Sequence, residues 1–162
     1  MAGSLVDRMV GAAFLNVDTY EDVEHDEEAT AQAAAVVAMV AVASAIGGLG
    51  LGAPGAVKGA AASIVGWLVW AGITWLVGTK LFGGTATWGE LLRTLGFANT
   101  PGLLMVFGII PILGWPVVAV AALWGLATGF VAVRQALDFG NGKTLATVVI
   151  GWLCYAVLNA LF

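Results

Sequence analysis

The residues best suited to chemistry in this 162-residue chain lie in one short acidic segment. Seven of its ten acidic residues and its single histidine fall within residues 18–28, which read DTYEDVEHDEE. If this segment is helical and continues into the apolar residues that follow, five polar side chains come to one face at i, i+3 and i+4 spacing. They are Glu21, Glu24, His25, Glu28 and Gln32.

Carboxylates stacked along one helix face repel one another unless a cation or a proton lies between them. Carboxylate oxygens are the ligands that Mg²⁺, Ca²⁺ and Mn²⁺ prefer. The first four residues of this face, Glu21, Glu24, His25 and Glu28, therefore predict a divalent-cation site.

The same charges also fit an interpretation in which no ion is bound. Acidic residues near a helix start are favoured by the helix dipole, and basic residues on the same side of the chain would neutralise them. The candidates are Arg8, Arg93 and Arg134. We expect the acidic face to meet Arg93 and Arg134 beneath the helices, because these are the nearest basic residues on that side. Both interpretations stay open at this point.

Two carboxylates outside the acidic run each lie one helical turn from an arginine. Glu90 precedes Arg93 by three residues and Arg134 precedes Asp138 by four, which is the spacing of local ion pairs on a helix. We therefore predict the structural ion pairs Glu90–Arg93 and Arg134–Asp138. A functional alternative places Glu90 and Asp138 in a polar vestibule shared with Glu24 and Glu28.

The composition predicts the environment of these groups. Charged residues make up 10% of the chain, against about 25% in an ordinary globular domain. Hydrophobic residues make up 60%, and the mean hydropathy is +0.98. A soluble domain of this size leaves roughly a third of its unfolded surface exposed after folding, so it has no room to bury this much apolar surface. The sequence predicts an integral membrane protein.

Several functional classes are excluded by the same counts. Six basic residues without a basic stripe, against ten acidic ones, argue against nucleic-acid binding. One cysteine and one histidine exclude a disulfide framework and a zinc site with several Cys or His ligands. Neither a G-x-S-x-G motif nor a G-x-x-x-x-G-K-[ST] phosphate loop is present. We predict a protein that is not an enzyme and has no cofactor apart from the divalent cation considered above.

Long uncharged stretches predict an all-α, polytopic membrane helix bundle. Since a spanning helix needs about 20 mainly apolar residues, we place five spans at about residues 29–49, 57–80, 95–112, 116–137 and 144–161. Pro101 falls inside the third, so a re-entrant hairpin formed by the third and fourth segments is an alternative. The prediction is a single domain, residues 1–162, with an interfacial helix at 1–17, the acidic segment at 18–28 and the transmembrane bundle at 29–162.

Two shorter segments have the pattern of interfacial amphipathic helices. In residues 4–16, apolar pairs recur every four residues and form one face, opposite Asp7 and Arg8. Between the second and third spans, Thr87 is followed three residues later by Glu90, which predicts a capping box. Trp88 next to it suits the headgroup level.

The basic residues predict the orientation. With five spans, five of the six fall on one side and only Lys58 on the other. The positive-inside rule then places the N-terminus in the cytoplasm and the C-terminus outside the cell membrane.

One segment and two shorter motifs resemble those of a known family. The segment is LNVDTYEDVEHDEEATAQA at residues 15–33, and the motifs are GFANTP at 96–101 and WGL at 124–126, the latter followed by Arg134. The whole chain resembles the prokaryotic branch of the Yip domain family, the Ypt/Rab-interacting membrane proteins. The resemblance implies a membrane location. Eukaryotic relatives are linked to vesicle traffic and small GTPases through a longer cytoplasmic N-terminal region, which is not seen here, so we expect no GTPase partner.

Two functions remain for the sequence. The first is a non-enzymatic membrane-organising or scaffold role in the lipid bilayer. The second is a small channel or transporter for a cation or a lipid, with the acidic segment at its cytoplasmic mouth. The Gly125-x-x-x-Gly129 motif supports close packing within the bundle or, alternatively, a homo-oligomer.

Overall fold

Helices account for all the regular secondary structure in the computed structural model, which describes residues 3–161 except for the side chains of residues 152 and 155–161. The predicted all-α class is therefore confirmed for that range. The α-helices are α1 (Leu5–Ala13), α2 (Val17–His25), α3 (Ala29–Gly48), α4 (Gly52–Leu76), α5 (Trp88–Ala98), α6 (Gly114–Ala136) and α7 (Asn141–Leu161).

Helices α3 and α4 form an antiparallel hairpin. A short 3-10 turn, Leu49–Leu51, joins them, and Gly52 at its end has a φ of 78° that favours glycine. The two backbones touch because Gly48 faces the carbonyl of Gly55. Among the described residues, two continuous helical stretches are long and apolar enough to cross a bilayer, Ala29–Leu81, which holds both arms of this hairpin, and Gly114–Ala136.

The predicted third helix, residues 95–112, is wrong as a single α-helix. Helix α5 ends at Ala98, and a 3-10 helix, Thr100–Ile109, continues the chain with Pro101 in its first turn. Proline at that position has no N–H to donate and would clash with the preceding turn of an α-helix. The combined segment still runs beside α3 along its whole length, since Gly96 packs on Ala33 and Gly108 packs on Gly47. It therefore reaches the same end of the bundle as α3.

Close backbone contact between α3 and the 3-10 helix leads to a first testable prediction. A Cβ added at Gly47 would overlap the carbonyl oxygen of Met105. We expect Gly47→Ala to lower the free energy of unfolding by about 1–3 kcal/mol, because one backbone must move to admit the methyl group. Thermal unfolding in detergent micelles measures the change.

Gly125→Ala is the matched control for this substitution. Apart from the adjoining turns of α6 itself, no described atom lies within 4 Å of a Cβ built at Gly125 or at Gly129. We expect Gly125→Ala to leave the midpoint of thermal unfolding unchanged or to raise it, since alanine has a higher helix propensity than glycine. Equal losses in the two variants would contradict the contact. The packing predicted within the bundle for Gly125-x-x-x-Gly129 is not formed with any described residue, and the homo-oligomer stays a prediction.

Helices α1 and α2 form a second, shorter hairpin at the N-terminus. The side chains of Ser4 and Asn16 cap their respective N-termini, and Leu15 between them has a φ of 62°. The tip of this hairpin, residues 13–17, lies beside Trp124, whose indole N–H donates to the carbonyl oxygen of Ala13 at 2.7 Å. Since Trp124 precedes the end of α6 at Ala136 by twelve residues, the tip lies about 18 Å along the bundle from that end. The helix predicted in residues 4–16 is therefore one arm of a hairpin.

The charged end of the bundle, as we call it, is the end where α2 and α6 finish and α3, α5 and α7 begin. The predicted capping box is present there. The Thr87 hydroxyl accepts from the N–H of Glu90 at 3.2 Å, and the Glu90 carboxylate accepts from the N–H of Thr87 at 3.0 Å. This local pair fixes where α5 begins and so positions Arg93, one turn further on.

Candidate cation site at the charged end of the bundle

Helix α2 carries the site, and one aromatic residue anchors it. Tyr20 is fully buried, and its hydroxyl donates toward the carbonyl oxygens of Ala12 and Thr128, at 3.0 and 3.2 Å. Val23, one turn later, is also fully buried. With these two positions facing the bundle, the helix presents Glu21, Glu24 and His25 to the ends of α5 and α6.

The helix ends at His25, so the predicted continuous face from Glu21 to Gln32 is wrong. Asp26 has an extended backbone, with φ −88° and ψ 101°, and its carboxylate accepts from the N–H of Glu28 at 3.0 Å. Aspartate competes with helix geometry in this way because its side chain satisfies nearby backbone groups. As a result Glu28 is exposed at the start of α3 and separated from the other three candidate ligands.

The structure brings three of the four predicted cation ligands together. One ligand atom each from Glu21, Glu24 and His25 lies within 4.8 Å of the other two. Glu24 is only 8% exposed, and among the described residues its carboxylate has no hydrogen-bond or ion-pair partner. His25 is exposed, and its Nδ1 lies 2.8 Å from the carbonyl oxygen of Glu21.

The surroundings of Glu24 disfavour its negative charge. Burial raises the pKa of the Glu24 carboxyl from 4.5 to about 7, and the charges of Glu21, Glu90 and Asp138 add to this, while His25 opposes it. The pKa of His25 is also raised, first by its hydrogen bond to the Glu21 carbonyl and then by the charge of Glu24. Both shifts describe a locally negative site that favours a cation or a proton.

Arg93 lies next to this cluster but binds the backbone. Its guanidinium donates to the carbonyl oxygens of Val23, at 3.0 Å, and of Glu24. These are unpaired carbonyls of the last turn of α2, where a cation is favoured. The predicted meeting of the acidic helix with Arg93 is therefore formed through main-chain atoms, and the Glu24 carboxylate is not neutralised by it.

Neither predicted ion pair forms among the residues that the structure describes. The Glu90 carboxylate instead caps α5, and Asp138, with a φ of 54°, accepts from the hydroxyl of Thr85 at 3.3 Å. Arg134 donates to Gln135 and Asn141, at 3.0 and 3.5 Å.

The vestibule alternative stays a prediction. The charges of Glu90 and Asp138 help to raise the pKa of Glu24, while Glu28 is exposed beyond the break at Asp26. Arg134 does not reach the acidic face, but its neighbour Gln135 donates to the Glu21 carboxylate at 2.5 Å.

A model of the Yip1 domain matches residues 11–161, which include α2, α5, α6 and the helices between them. The chain belongs to the Yip1 domain family. No curated protein and no solved structure matches the chain significantly. Together with its apolar helices, membership in this family makes the chain a membrane protein, in agreement with the composition and with the resemblance described above.

In this Yip1-domain chain, Arg8 neutralises two other carboxylates of the acidic run, those of Asp22 and Asp26. Only 2% of Arg8 is exposed, and its Nη2 lies 2.8 Å from an oxygen of Asp22 and 2.6 Å from one of Asp26. Its Nη1 also donates to the Gln32 side chain at 3.0 Å. One guanidinium thus joins α1, α2 and α3, and we call these four residues the Arg8 cluster.

In the sequence, Arg8 is one of three arginines that could neutralise the acidic run, and nothing there singles it out. A usable signal was present, since Asp22 and Asp26 are four residues apart and two carboxylates at that spacing fit the fork of one guanidinium. Gln32 was assigned to the cation face, whereas the structure turns it to Arg8.

Proposed function

We propose that this Yip1-domain protein is a non-enzymatic, membrane-organising protein of a prokaryotic cell membrane. Its charged end faces the cytoplasm, its C-terminus faces outward, and the α1–α2 hairpin lies in the cytoplasmic leaflet. Four basic residues at the charged end, Lys80, Arg93, Arg134 and Lys143, support this orientation, because cytoplasmic ends carry the excess of Lys and Arg. Lys58, in contrast, lies near the α3–α4 turn.

The observation that carries the proposal is the apolar outer face of the α1–α2 hairpin. Val6, Val10 and Phe14 follow one another at four-residue spacing and are 65%, 49% and 75% exposed. The opposite face holds the Arg8 cluster and Tyr20, so the hairpin has no freedom to turn its apolar side inward. An apolar strip of this kind marks a membrane or protein contact, and a helical wedge inserted in one leaflet alters its packing and curvature.

Insertion of the hairpin tip is the second testable prediction. In a Cys154→Ala background, we expect an environment-sensitive fluorophore on Phe14→Cys to report a lipid surrounding in proteoliposomes and to resist an aqueous quencher. The matched control is Glu27→Cys, at the charged end and exposed, which the quencher should reach. Equal quenching at both positions would contradict the embedded hairpin.

A membrane-organising role can be tested by measuring the size of proteoliposomes. We expect proteoliposomes containing the wild-type chain to be smaller in mean diameter than those containing the double variant Val10→Gln, Phe14→Gln, at equal protein density. The polar variant keeps the Arg8 cluster but loses the apolar wedge. Identical diameters would contradict a membrane-organising role while leaving the fold untouched.

A lipid transporter is the second candidate function, and a groove between α4 and α6 favours it over a cation channel. The groove has a volume of about 280 Å³, and its wall includes Ser63, Trp67, Asn99, Gly125 and Gly129. None of the carboxylates in the described chain lines it, so the wall suits an acyl chain better than an ion. Transfer of a fluorescent phospholipid between leaflets of proteoliposomes tests this candidate.

A further inference from the structure

Asn99 lies in the wall shared by three neighbouring cavities of the bundle. The groove between α4 and α6 described above, of about 280 Å³, adjoins cavities of about 260 and 440 Å³, and Asn99 lines all three. The second cavity reaches Ala121 on α6, and the third reaches Gly48 at the end of α3. One polar side chain therefore stands at the branch point of a largely apolar space.

This branch point lies near the middle of the bilayer. Asn99 follows Trp88, where α5 begins at the charged end, by eleven residues, and Ser63 follows Gly52, where α4 begins at the opposite end, by eleven as well. Eleven residues of α-helix rise about 16 Å, which is roughly half of the hydrocarbon core of about 30 Å. Since water is scarce at that depth, a polar group there needs a partner from the protein or from a ligand.

Two polar groups in the same walls have protein partners. The Ser63 hydroxyl lies 3.0 Å from the hydroxyl oxygen of Ser44 and 3.0 Å from the carbonyl oxygen of Gly59. The indole N–H of Trp67 donates to the carbonyl oxygen of Leu92 at 3.0 Å. These groups are satisfied without a ligand.

The side-chain amide of Asn99 is only partly used. Its Nδ2 donates to the carbonyl oxygen of Leu95 at 2.8 Å, although that oxygen already accepts from the main-chain N–H of Asn99 at 3.2 Å. Among the described residues, none donates to Oδ1 and none accepts the second N–H of the amide. Because a side-chain amide has two donors and an accepting oxygen, Asn99 keeps one donor and one acceptor for a ligand.

The charges and the space around Asn99 select the ligand. No charged residue of the described chain lines any of the three cavities, so a phosphate or carboxylate headgroup at this depth would lack a counter-charge, which is costly. A hydroxyl donates one hydrogen bond and accepts another, which matches what Asn99 leaves free. Beside Gly125 and Gly129, apart from the adjoining turns of α6, no described atom lies within 4 Å of a Cβ position, and this leaves room for an acyl chain.

We propose that this branched cavity binds a neutral lipid of the diacylglycerol class, with its free hydroxyl on Asn99. Two acyl chains meet at such a headgroup, and more than one cavity meets at Asn99, so each chain has a space of its own. The inference rests on the membrane placement proposed above and deepens the lipid candidate, because it names the class of lipid and excludes a charged headgroup. Binding requires neither transport nor the apolar wedge of the hairpin.

The test uses the full chain in phosphatidylcholine nanodiscs that contain a trace of a diacylglycerol with a photoactivatable diazirine on one acyl chain. After irradiation, mass spectrometry measures the labelled fraction of the protein at rising concentrations of unlabelled competitors. We expect saturable labelling that maps to α4 and α6 and falls as dioleoylglycerol is added. Phosphatidylglycerol, oleic acid and a diacylglycerol with an acetylated hydroxyl should compete at least about tenfold less well, since two hydrogen bonds account for a difference of that size.

Two variants and two matched controls decide the assignment. We expect Asn99→Leu to weaken dioleoylglycerol binding by about tenfold and Gly125→Leu, which fills the groove, to abolish saturable labelling. Thr100→Val is the control for the first, because the Thr100 hydroxyl bonds to the carbonyl oxygen of Phe97 and lines none of the three cavities. Gly72→Leu is the control for the second, since Gly72 has the same open space but lies outside the cavities. Both controls should bind like the wild type.

The proposal is overturned if labelling does not saturate, if Asn99→Leu and Gly125→Leu both bind like the wild type, or if the controls lose as much affinity as these variants. Equal competition by phosphatidylglycerol would overturn the uncharged headgroup, and equal competition by oleyl alcohol would overturn the choice of a two-chain lipid. The membrane-organising role is judged separately. Asn99→Leu should keep the wild-type proteoliposome diameter, and the double variant Val10→Gln, Phe14→Gln should keep the wild-type labelling.

Discussion

Replacing Arg8 by glutamine is expected to lower the free energy of unfolding by about 3 kcal/mol and to detach the N-terminal hairpin from the charged end. Arg8 is 2% exposed and is the only described residue whose side chain pairs with Asp22 and Asp26. Removing one partner of a buried ion pair typically costs about 3–5 kcal/mol. The lower value applies because the side chain of Asp22 is 47% exposed and that of Asp26 is 24% exposed.

Thermal unfolding in nanodiscs measures the loss, and limited proteolysis near residues 26–28 reports the detached hairpin. Arg134→Gln is the matched control, because Arg134 bonds only to the neutral side chains of Gln135 and Asn141. We expect Arg134→Gln to lower the free energy of unfolding by less than about 1 kcal/mol, as other substitutions away from a buried network do. Losses of the same size in both variants would refute the Arg8 cluster as the element that holds the hairpin.

The second large effect concerns Glu24 in the metal-free protein. Its pKa is raised from 4.5 to about 7 by burial and by the neighbouring carboxylates. Between these two pH values the folded state holds a proton at Glu24 that the unfolded state has released. The contribution of Glu24 to stability is therefore most favourable below pH 4.5, falls as the pH rises to about 7, and stays at its lowest value above that.

We therefore expect Glu24→Gln to raise the free energy of unfolding at pH 8 in EDTA by about 1 kcal/mol, because the carboxylate oxygens keep contact with solvent, which screens their charge. The gain should shrink towards zero at pH 4.5, where the wild-type carboxyl is already protonated. Glu21, His25, Glu90 and Asp138 face this group and also titrate or carry charge, and Arg93 contacts its main chain. Their contributions are shared by the two proteins, so the difference between the two pH profiles isolates Glu24.

Glu27→Gln serves as the control, since an exposed carboxylate changes stability by no more than about 0.5 kcal/mol. Urea titrations in detergent from pH 4.5 to 8 supply the profiles. Parallel profiles for wild type and Glu24→Gln would show that the pKa of Glu24 is not raised in the folded protein, which contradicts this prediction.

Local sequence patterns were sufficient for several elements. Composition predicted the all-α membrane class, and the Thr87–Glu90 pair predicted the start of α5, because a capping box satisfies backbone groups within three residues of itself. The uncharged stretches predicted α3, α4, α6 and α7 with shifts of a few residues at most of their ends. Each of these features depends on neighbours in the chain.

The third segment shows a feature of the fold that local sequence patterns do not predict. Pro101 was recognised as a break, yet residues 87–93 were treated as a separate interfacial helix and residues 95–112 as a span. In the structure both belong to one path along α3, an α-helix followed by a 3-10 helix. Glycines at 96, 102 and 108 let this path approach the α3 backbone, and that contact is invisible in the local sequence.

The sequence predicted an acidic cluster with a histidine, and three of its four predicted residues lie close together in the structure. Glu21, Glu24 and His25 lie within one helical turn, so their proximity follows from helix geometry alone. Glu28 and Gln32 were added by extending that helix, but Asp26 and Arg8 interrupt it. Arg8 belongs to another helix, and only the packing of α1 against α2 decides that it, rather than Arg93 or Arg134, neutralises Asp22 and Asp26. Helix periodicity is a property of neighbouring residues, whereas the choice among equally charged partners depends on which helices the fold brings into contact.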